Sequence, residues 1–212
     1  MKGFVIKPNN CLNRETPAFC HDSYEGGGKW RTPGTIENLI CTLKNDITPY
    51  PQYVLDAATA RLSAILAEDL PQIMRIIRKA GLQTLRVCVV PRSKHEEHYT
   101  FNQKLFRNTI QQAVRSLDGF EDGTHDIIRH TDTKTTHLER RGNGGNGRMP
   151  YPGITKETCT ISNNVCGKCI LLIDDLYTNT VNIDEDAIQA LYDSGAKFVI
   201  FYSIGNTIYR GN

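Results

Sequence analysis

Membrane-length hydrophobic runs are absent from this sequence. A spanning helix needs about 20 consecutive apolar residues, and no stretch comes near that. No membrane partner is therefore expected. A charge excess is absent too. Lys and Arg number 25 against 23 Asp and Glu, for a net charge of +2, which gives no support for a globally basic nucleic-acid binder. The opening MKGFVIKPNN carries no signal-peptide core and no cleavage site, so a cytoplasmic location is expected. Paired metal-binding cysteines are scarce. Cys11, Cys20, His21 and Cys41 contain no Cys-x-x-Cys spacing, which argues against a zinc module. Cys166 and Cys169 do have it, but they sit in a turn before an apolar run with no second pair nearby. Seven cysteines without a secretory signal read as reduced thiols. The six histidines form no His-Glu-x-x-His and no triad-like order.

What remains is an α/β pattern. At 212 residues one domain is the natural expectation. Phe4, Val5 and Ile6 suit a short strand, and the turn-rich stretch from Asn9 to Lys29 reads as loop. Ile36, Leu39, Ile40 and Leu43 recur at helical spacing. After Pro51, apolar residues from Val54 to Leu66 predict a second helix ending at Glu68. Asp69 suits the cap of a third, with Pro71 in its first turn, Ile73, Ile76 and Ile77 inward, and Gly81 as its stop. TLRVCVV over 84–90 reads as a strand. Thr100 and Gln103 have capping-box spacing and open a helix to about Leu117, with Phe101, Leu105, Phe106, Ile110 and Val114 buried. DIIR over 126–129, CTIS over 159–162 and KFVIFYS over 197–203 are further strands. The alternation predicts an α/β fold, a mostly parallel sheet flanked by helices on both faces.

Chemistry concentrates in CILLIDDLYTNTVN, residues 169–182. Ile170 to Ile173 read as a strand buried on both faces. Asp174 and Asp175 follow at its carboxyl end. Then come a polar turn and a helix from Ile183 to Ser194, closed by Gly195. Ligands of open α/β sheets bind at such strand ends. Unpaired N–H groups at a helix start suit phosphate, and adjacent carboxylates can accept from two ribose hydroxyls. A sugar phosphate would fit with its ring over the acids and its 5′-phosphate in the turn. On the residues alone, the pattern also suits a structural strand with a solvated Asp pair and an ordinary N-cap. A second loop at a strand end, Arg92-Ser93-Lys94, offers two cations and a hydroxyl for a pyrophosphate. The stretch 131–152 is polar and glycine-rich, a form that is functional or disordered in compact domains.

ILLIDDLYTNTVN resembles the phosphoribosyl-pyrophosphate (PRPP) motif of type I phosphoribosyltransferases: four apolar residues, two acids, two apolar residues, then Thr-Thr-Gly-x-Thr. Thr180 stands where the family has Gly, and Asn182 where it has Thr. The Phe101-Asn102-Gln103 block, with Arg129, Leu138, Arg141 and Asn143 after it, is similar to the ComF-type, competence-associated members. The resemblance spans roughly 88–203 and does not include that group's N-terminal paired-cysteine zinc module.

The resemblance implies the type I phosphoribosyltransferase fold, with 1–51 as a variant hood on a 52–212 core. It also implies phosphoribosyl transfer from PRPP with Mg²⁺ carried by the substrate, no metal being held by the protein directly. Asp174 and Asp175 would hold the ribose and steady charge at its anomeric carbon. Thr178, Asn179, Thr180, Val181 and Asn182 would take the 5′-phosphate. Arg92, Ser93 and Lys94 would take the pyrophosphate, and Arg140, Arg141 and Arg148 would ride on a loop closing over the centre. Thr180 and Asn182 motivate a second reading: a non-catalytic PRPP or nucleotide sensor, or a partner-binding module, on the same fold. A DNA-handling role follows from family analogy alone. The acceptor, a homodimer and any protein partner are left open.

Overall fold

The computed structural model describes residues 1–46, 49–133 and 153–208. Its centre is a six-stranded sheet in the order β1-β2-β8-β7-β3-β4. The strands are β1 (Lys2–Ile6), β2 (Thr16–Tyr24), β3 (Leu85–Val89), β4 (Phe120–Asp122), β7 (Cys169–Tyr177) and β8 (Phe198–Thr207). Only the β1–β2 pair is antiparallel; β2–β8, β8–β7, β7–β3 and β3–β4 are parallel. A separate antiparallel pair joins β5 (Ile127–Arg129) to β6 (Cys159–Ile161). The chain is thus α/β, with a mostly parallel mixed sheet.

The continuous apolar runs occupy the middle of the sheet, as burial on both faces requires. Ile170 to Ile173 of β7 are all fully buried, and so are Val199, Phe201 and Tyr202 of β8. Helices α1 (Ile36–Lys44), α2 (Gln52–Lys79) and α3 (Leu105–Ser116) cover one face, over Val87, Val89, Leu171, Ile173 and Ile204. Helix α4 (Ile183–Asp193) and the β5–β6 pair cover the other, over Cys88, Ile170, Leu172 and Phe201. No helix among the described residues is long and apolar enough to cross a membrane.

Several expectations are corrected. Residues 9–29 are not all loop, because β2 runs nine residues through them and pairs with β8. Thr16, Ala18 and Cys20 face inward in strict alternation, while Pro17, Asp22 and Ser23 disguise the strand. The two helices expected around Asp69 are one helix of 28 residues with Pro71 inside it. Proline there removes a donor to the carbonyl four residues back. That residue, Ala67, is exposed, so water can replace the bond, while Leu66, Leu70, Ile73 and Met74 continue the buried stripe past the proline. Ile76 faces out rather than in, at 45% exposure. Asp69 caps nothing; it is fully buried, and its Oδ2 accepts from Tyr202 Oη at 2.7 Å and lies 2.9 Å from His21 Nδ1. Finally, the Thr100–Gln103 capping box opens a 3-10 turn, Phe101–Lys104, before α3. That tighter turn points Phe101 outward, at 72% exposure, instead of into the core.

Two local features bring α1 to the site. Thr35 caps it by accepting from Asn38 N at 3.1 Å, and Asn45 ends it in a left-handed conformation, φ 48°. Gly205 of β8 lets it lie close, since a Cβ there would meet Ile40 Cδ1 at 3.0 Å and Leu176 Cδ1 at 3.1 Å. The last residue of α1, Lys44, arrives beside the end of β7.

Candidate functional site

Strand β7 outlasts its neighbour. β3 pairs with it only as far as Val89↔Ile173, whereas β8 stays paired through Tyr177. The acids therefore sit inside the strand rather than after it, as the sequence had suggested. On the β3 side, past Ile173, the chain diverges: Val90 N donates to Ile173 O at 3.0 Å and the backbone then leaves through Pro91. A crevice opens at this divergence, at the carboxyl edge of the sheet, where open α/β folds hold ligands.

The crevice is a cavity of about 690 Å³. Asp174, Asp175, Thr178, Thr180 and Val181 line it from β7 and its turn, and Arg92, Ser93 and Lys94 from the loop after β3. Eight of the ten described residues singled out in the sequence thus share one space. Asn179 and Asn182 do not line it. Asn182 is the residue before α4, held left-handed at φ 57°, and its Oδ1 accepts from Asn9 Nδ2 at 3.0 Å. Arg140, Arg141 and Arg148 lie outside the described residues.

The turn is built by Val181 N donating to Thr178 O at 3.0 Å, and Thr178 Oγ1 lies 2.8 Å from Thr207 Oγ1 of β8. In the loop, Thr133 donates to Ser93 O through its amide at 2.7 Å and its hydroxyl at 3.0 Å. Lys94 is exposed, and its amide donates to Tyr99 Oη at 2.9 Å. Arg92 is spent differently. Its Nη1 donates to Lys44 O at 2.8 Å and Gln103 O at 2.9 Å, its Nη2 pairs with Asp46, and the guanidinium lies over Tyr99. It ties the end of α1 to the 3-10 turn before α3.

No family model matches the chain, and no curated protein matches its sequence.

The electrostatics are set by crowded acids. Asp174 is pushed up to about 7, first by burial and then by Asp175. Its Oδ1 accepts from Asp175 N at 2.7 Å, and it shares a hydrogen bond with Asp184 from the first turn of α4. Asp184 is pushed well above the ordinary carboxyl range, first by burial and then by Asp174. The pair therefore shares a proton, with the Asp184 carboxyl donating. Glu185 beside it is buried and raised by burial, and accepts from Tyr177 Oη at 2.9 Å. Asp184 Oδ1 and Glu185 Oε2 have no hydrogen-bond partner among the described residues. Lys44 is the counterweight: its Nζ lies 2.9 Å from Asp175 Oδ2. Burial works against its charge, but Asp175 and Asp174 outweigh burial and hold the ammonium above its ordinary value.

Lys44 was missed in the sequence because nothing local marks it; it is an ordinary last-turn cation on an amphipathic helix. The arrangement can do two things chemically. It offers carboxylates and a cation side by side for a polar, charged ligand. It also holds one carboxyl near neutrality, where a proton is readily taken or given. Among the described residues, no three His, Cys, Asp or Glu side chains are grouped to hold a metal ion.

Proposed function

We propose that the chain has a type I phosphoribosyltransferase-like fold and binds PRPP with Mg²⁺ in this cavity, transferring the phosphoribosyl group to an acceptor. One observation carries the reading. The acid pair with its hydroxyl turn comes from one stretch of chain and the Arg92–Lys94 loop from another, yet both line one crevice at the carboxyl edge of the sheet.

Asp174 and Asp175 accept from the ribose hydroxyls. Thr178, Thr180 and the Val181 backbone face the 5′-phosphate, and Ser93 and Lys94 face the pyrophosphate. A divalent cation arriving with the substrate would relieve the crowding of these acids: Asp184 Oδ1 is buried with no partner among the described residues, and Asp174 is raised first by burial and then by Asp175. Mg²⁺, when bound, neutralises the pyrophosphate. In the transfer the C1–O bond breaks and its electron pair stays on the pyrophosphate oxygen. The acceptor's lone pair forms the new bond at C1, and its proton passes to solvent. The carboxylates stabilise the positive charge that builds on the sugar ring meanwhile.

Titration calorimetry with PRPP and Mg²⁺ tests this, with the Asp174→Asn/Asp175→Asn double variant as control. Binding that the control abolishes supports the reading; no binding to the folded wild-type protein overturns it.

A second reading, a non-catalytic PRPP or nucleotide sensor, is favoured by one local fact. The start of α4 is taken up by its own groups, with Asn182 held by Asn9 and Asp184 and Glu185 buried in the first turn. These acids compete with a phosphate for the helix N-terminus. Thr180→Gly with Asn182→Thr separates the readings: turnover in the natural protein supports the enzyme, and turnover only in the double variant supports the sensor. If the DNA-handling analogy holds, affinity for DNA should fall steeply with salt.

A further inference from the structure

The group at this cavity that neither the motif nor the loop accounts for is Lys44. We propose that Lys44 is a substrate-contacting residue, the cation that receives the pyrophosphate as it leaves the ribose. The inference rests on the phosphoribosyl reading above and adds a residue to it from outside the resemblance.

Placement carries the argument. Lys44 Nζ lies 2.9 Å from Asp175 Oδ2, in the sugar subsite. The carbonyl of the same residue accepts from Arg92 at 2.8 Å, at the head of the pyrophosphate loop. Lys44 thus stands at the sugar subsite and is tied to the residue that begins the pyrophosphate loop, and the Ser93 and Lys94 that follow line the same cavity. Lys94 sits on the pyrophosphate loop itself, and the two arginines of the wall are committed to the fold. Arg92 donates to Lys44 O and Gln103 O and pairs with Asp46. Arg129, 1% exposed, donates to Arg92 O at 2.7 Å and Gly153 O at 3.2 Å. Among the described residues Lys44 has one ion pair, to a carboxylate that the ribose would itself engage. As a helix-terminal lysine it would be fully hydrated if turned outward. Instead it lines the cavity with its side chain 26% exposed.

When the C1–O bond breaks, the electron pair goes to the pyrophosphate oxygen, and Lys44 donates a hydrogen bond to that oxygen while keeping its proton. A charge-assisted bond formed to the leaving group as its charge grows stabilises the transition state more than the ground state.

Calorimetry with magnesium pyrophosphate and with ribose 5-phosphate, each alone, tests the assignment on wild type, Lys44→Met and Lys44→Arg. Lys44→Met should weaken pyrophosphate binding about 10- to 100-fold, and should leave ribose 5-phosphate within about threefold. Lys44→Arg keeps the charge, and should keep pyrophosphate binding within about tenfold. Unchanged pyrophosphate affinity in Lys44→Met, or loss of both ligands in both variants, overturns the proposal and leaves the phosphoribosyl reading standing. Wild-type protein that binds neither ligand overturns that reading itself.

Discussion

Replacing Asp174 with Asn should make the protein more stable at neutral pH while destroying its ligand site. Asp174 is raised from 3.8 to about 7 in the fold. The folded chain therefore holds a proton that the unfolded chain has already released, over the window from about pH 4 to 7. Where the native state binds more protons, stability falls as pH rises. A shift of roughly 3 units corresponds to about 4 kcal/mol at pH 7 and above. Because Asp184 shares the proton, removing one acid recovers part of this, about 2 kcal/mol. Asparagine keeps an oxygen for the Asp175 amide, which now donates to Asp174 Oδ1 at 2.7 Å, so little is lost locally. Urea denaturation of both proteins from pH 4.5 to 8 at fixed ionic strength gives the answer. The two curves should nearly meet at pH 4.5. By pH 7.5 the variant should lie above wild type by about 2 kcal/mol. A variant less stable than wild type at pH 7.5, or a difference that does not grow with pH, would refute the account of the acid cluster. PRPP with Mg²⁺ should narrow the gap, by stabilising wild type alone.

Other perturbations read the scaffold. Asp69→Ala strands the buried Tyr202 Oη and takes the partner from the part-exposed His21, and should cost about 3 kcal/mol in a denaturation curve. Burial opposes the charge of Asp69, but His21 and Tyr202 outweigh it and hold the carboxyl below its ordinary value. Its contribution is therefore present above about pH 4 and is lost as pH falls through its lower folded value. Gly205→Val forces a side chain against Ile40 and Leu176. It should cost about 1–3 kcal/mol, and by displacing α1 it should weaken pyrophosphate binding even though it touches no ligand. Pro71→Ala restores a donor inside a helix that is already continuous, and should raise stability by about 1–2 kcal/mol in thermal unfolding.

Legibility tracked how local the signal was. The strand at Ile170–Ile173 could be read because burial on both faces leaves an unbroken apolar run. α1 and α4 could be read because their stripes and stops lie within one short segment. β2 could not, since only every second residue is buried and Asp22 and Ser23 occupy its outer half. Pro71 misled for the opposite reason. Its local preference is to start a helix, but the packing of Leu66, Leu70, Ile73 and Met74 on the sheet carries the helix through it. The site divides in the same way. The acids lie in the last part of a strand, and the turn and the Arg92 loop follow strands closely, so sequence order alone puts them at one sheet edge.

Lys44 and Arg92 show where that reasoning stops. Arg92 reads as an anion-binding fork from its position after a strand, and nothing local to Lys44 marks it for a ligand. In the fold each is defined by its contacts. Arg92 uses its fork on Lys44 O and Gln103 O, joining α1 to the 3-10 turn before α3, while Lys44 turns into the cavity against Asp175. The arginine suits the structural task because its rigid fork serves two carbonyls at once. The lysine suits the cavity because its compact ammonium on a flexible stem can leave one carboxylate and follow a ligand. Exchanging the two residue types should then fail asymmetrically. Arg92→Lys loses the double carbonyl clamp and should cost stability and both ligands together. Lys44→Arg keeps the clamp and the charge, and should cost little of either.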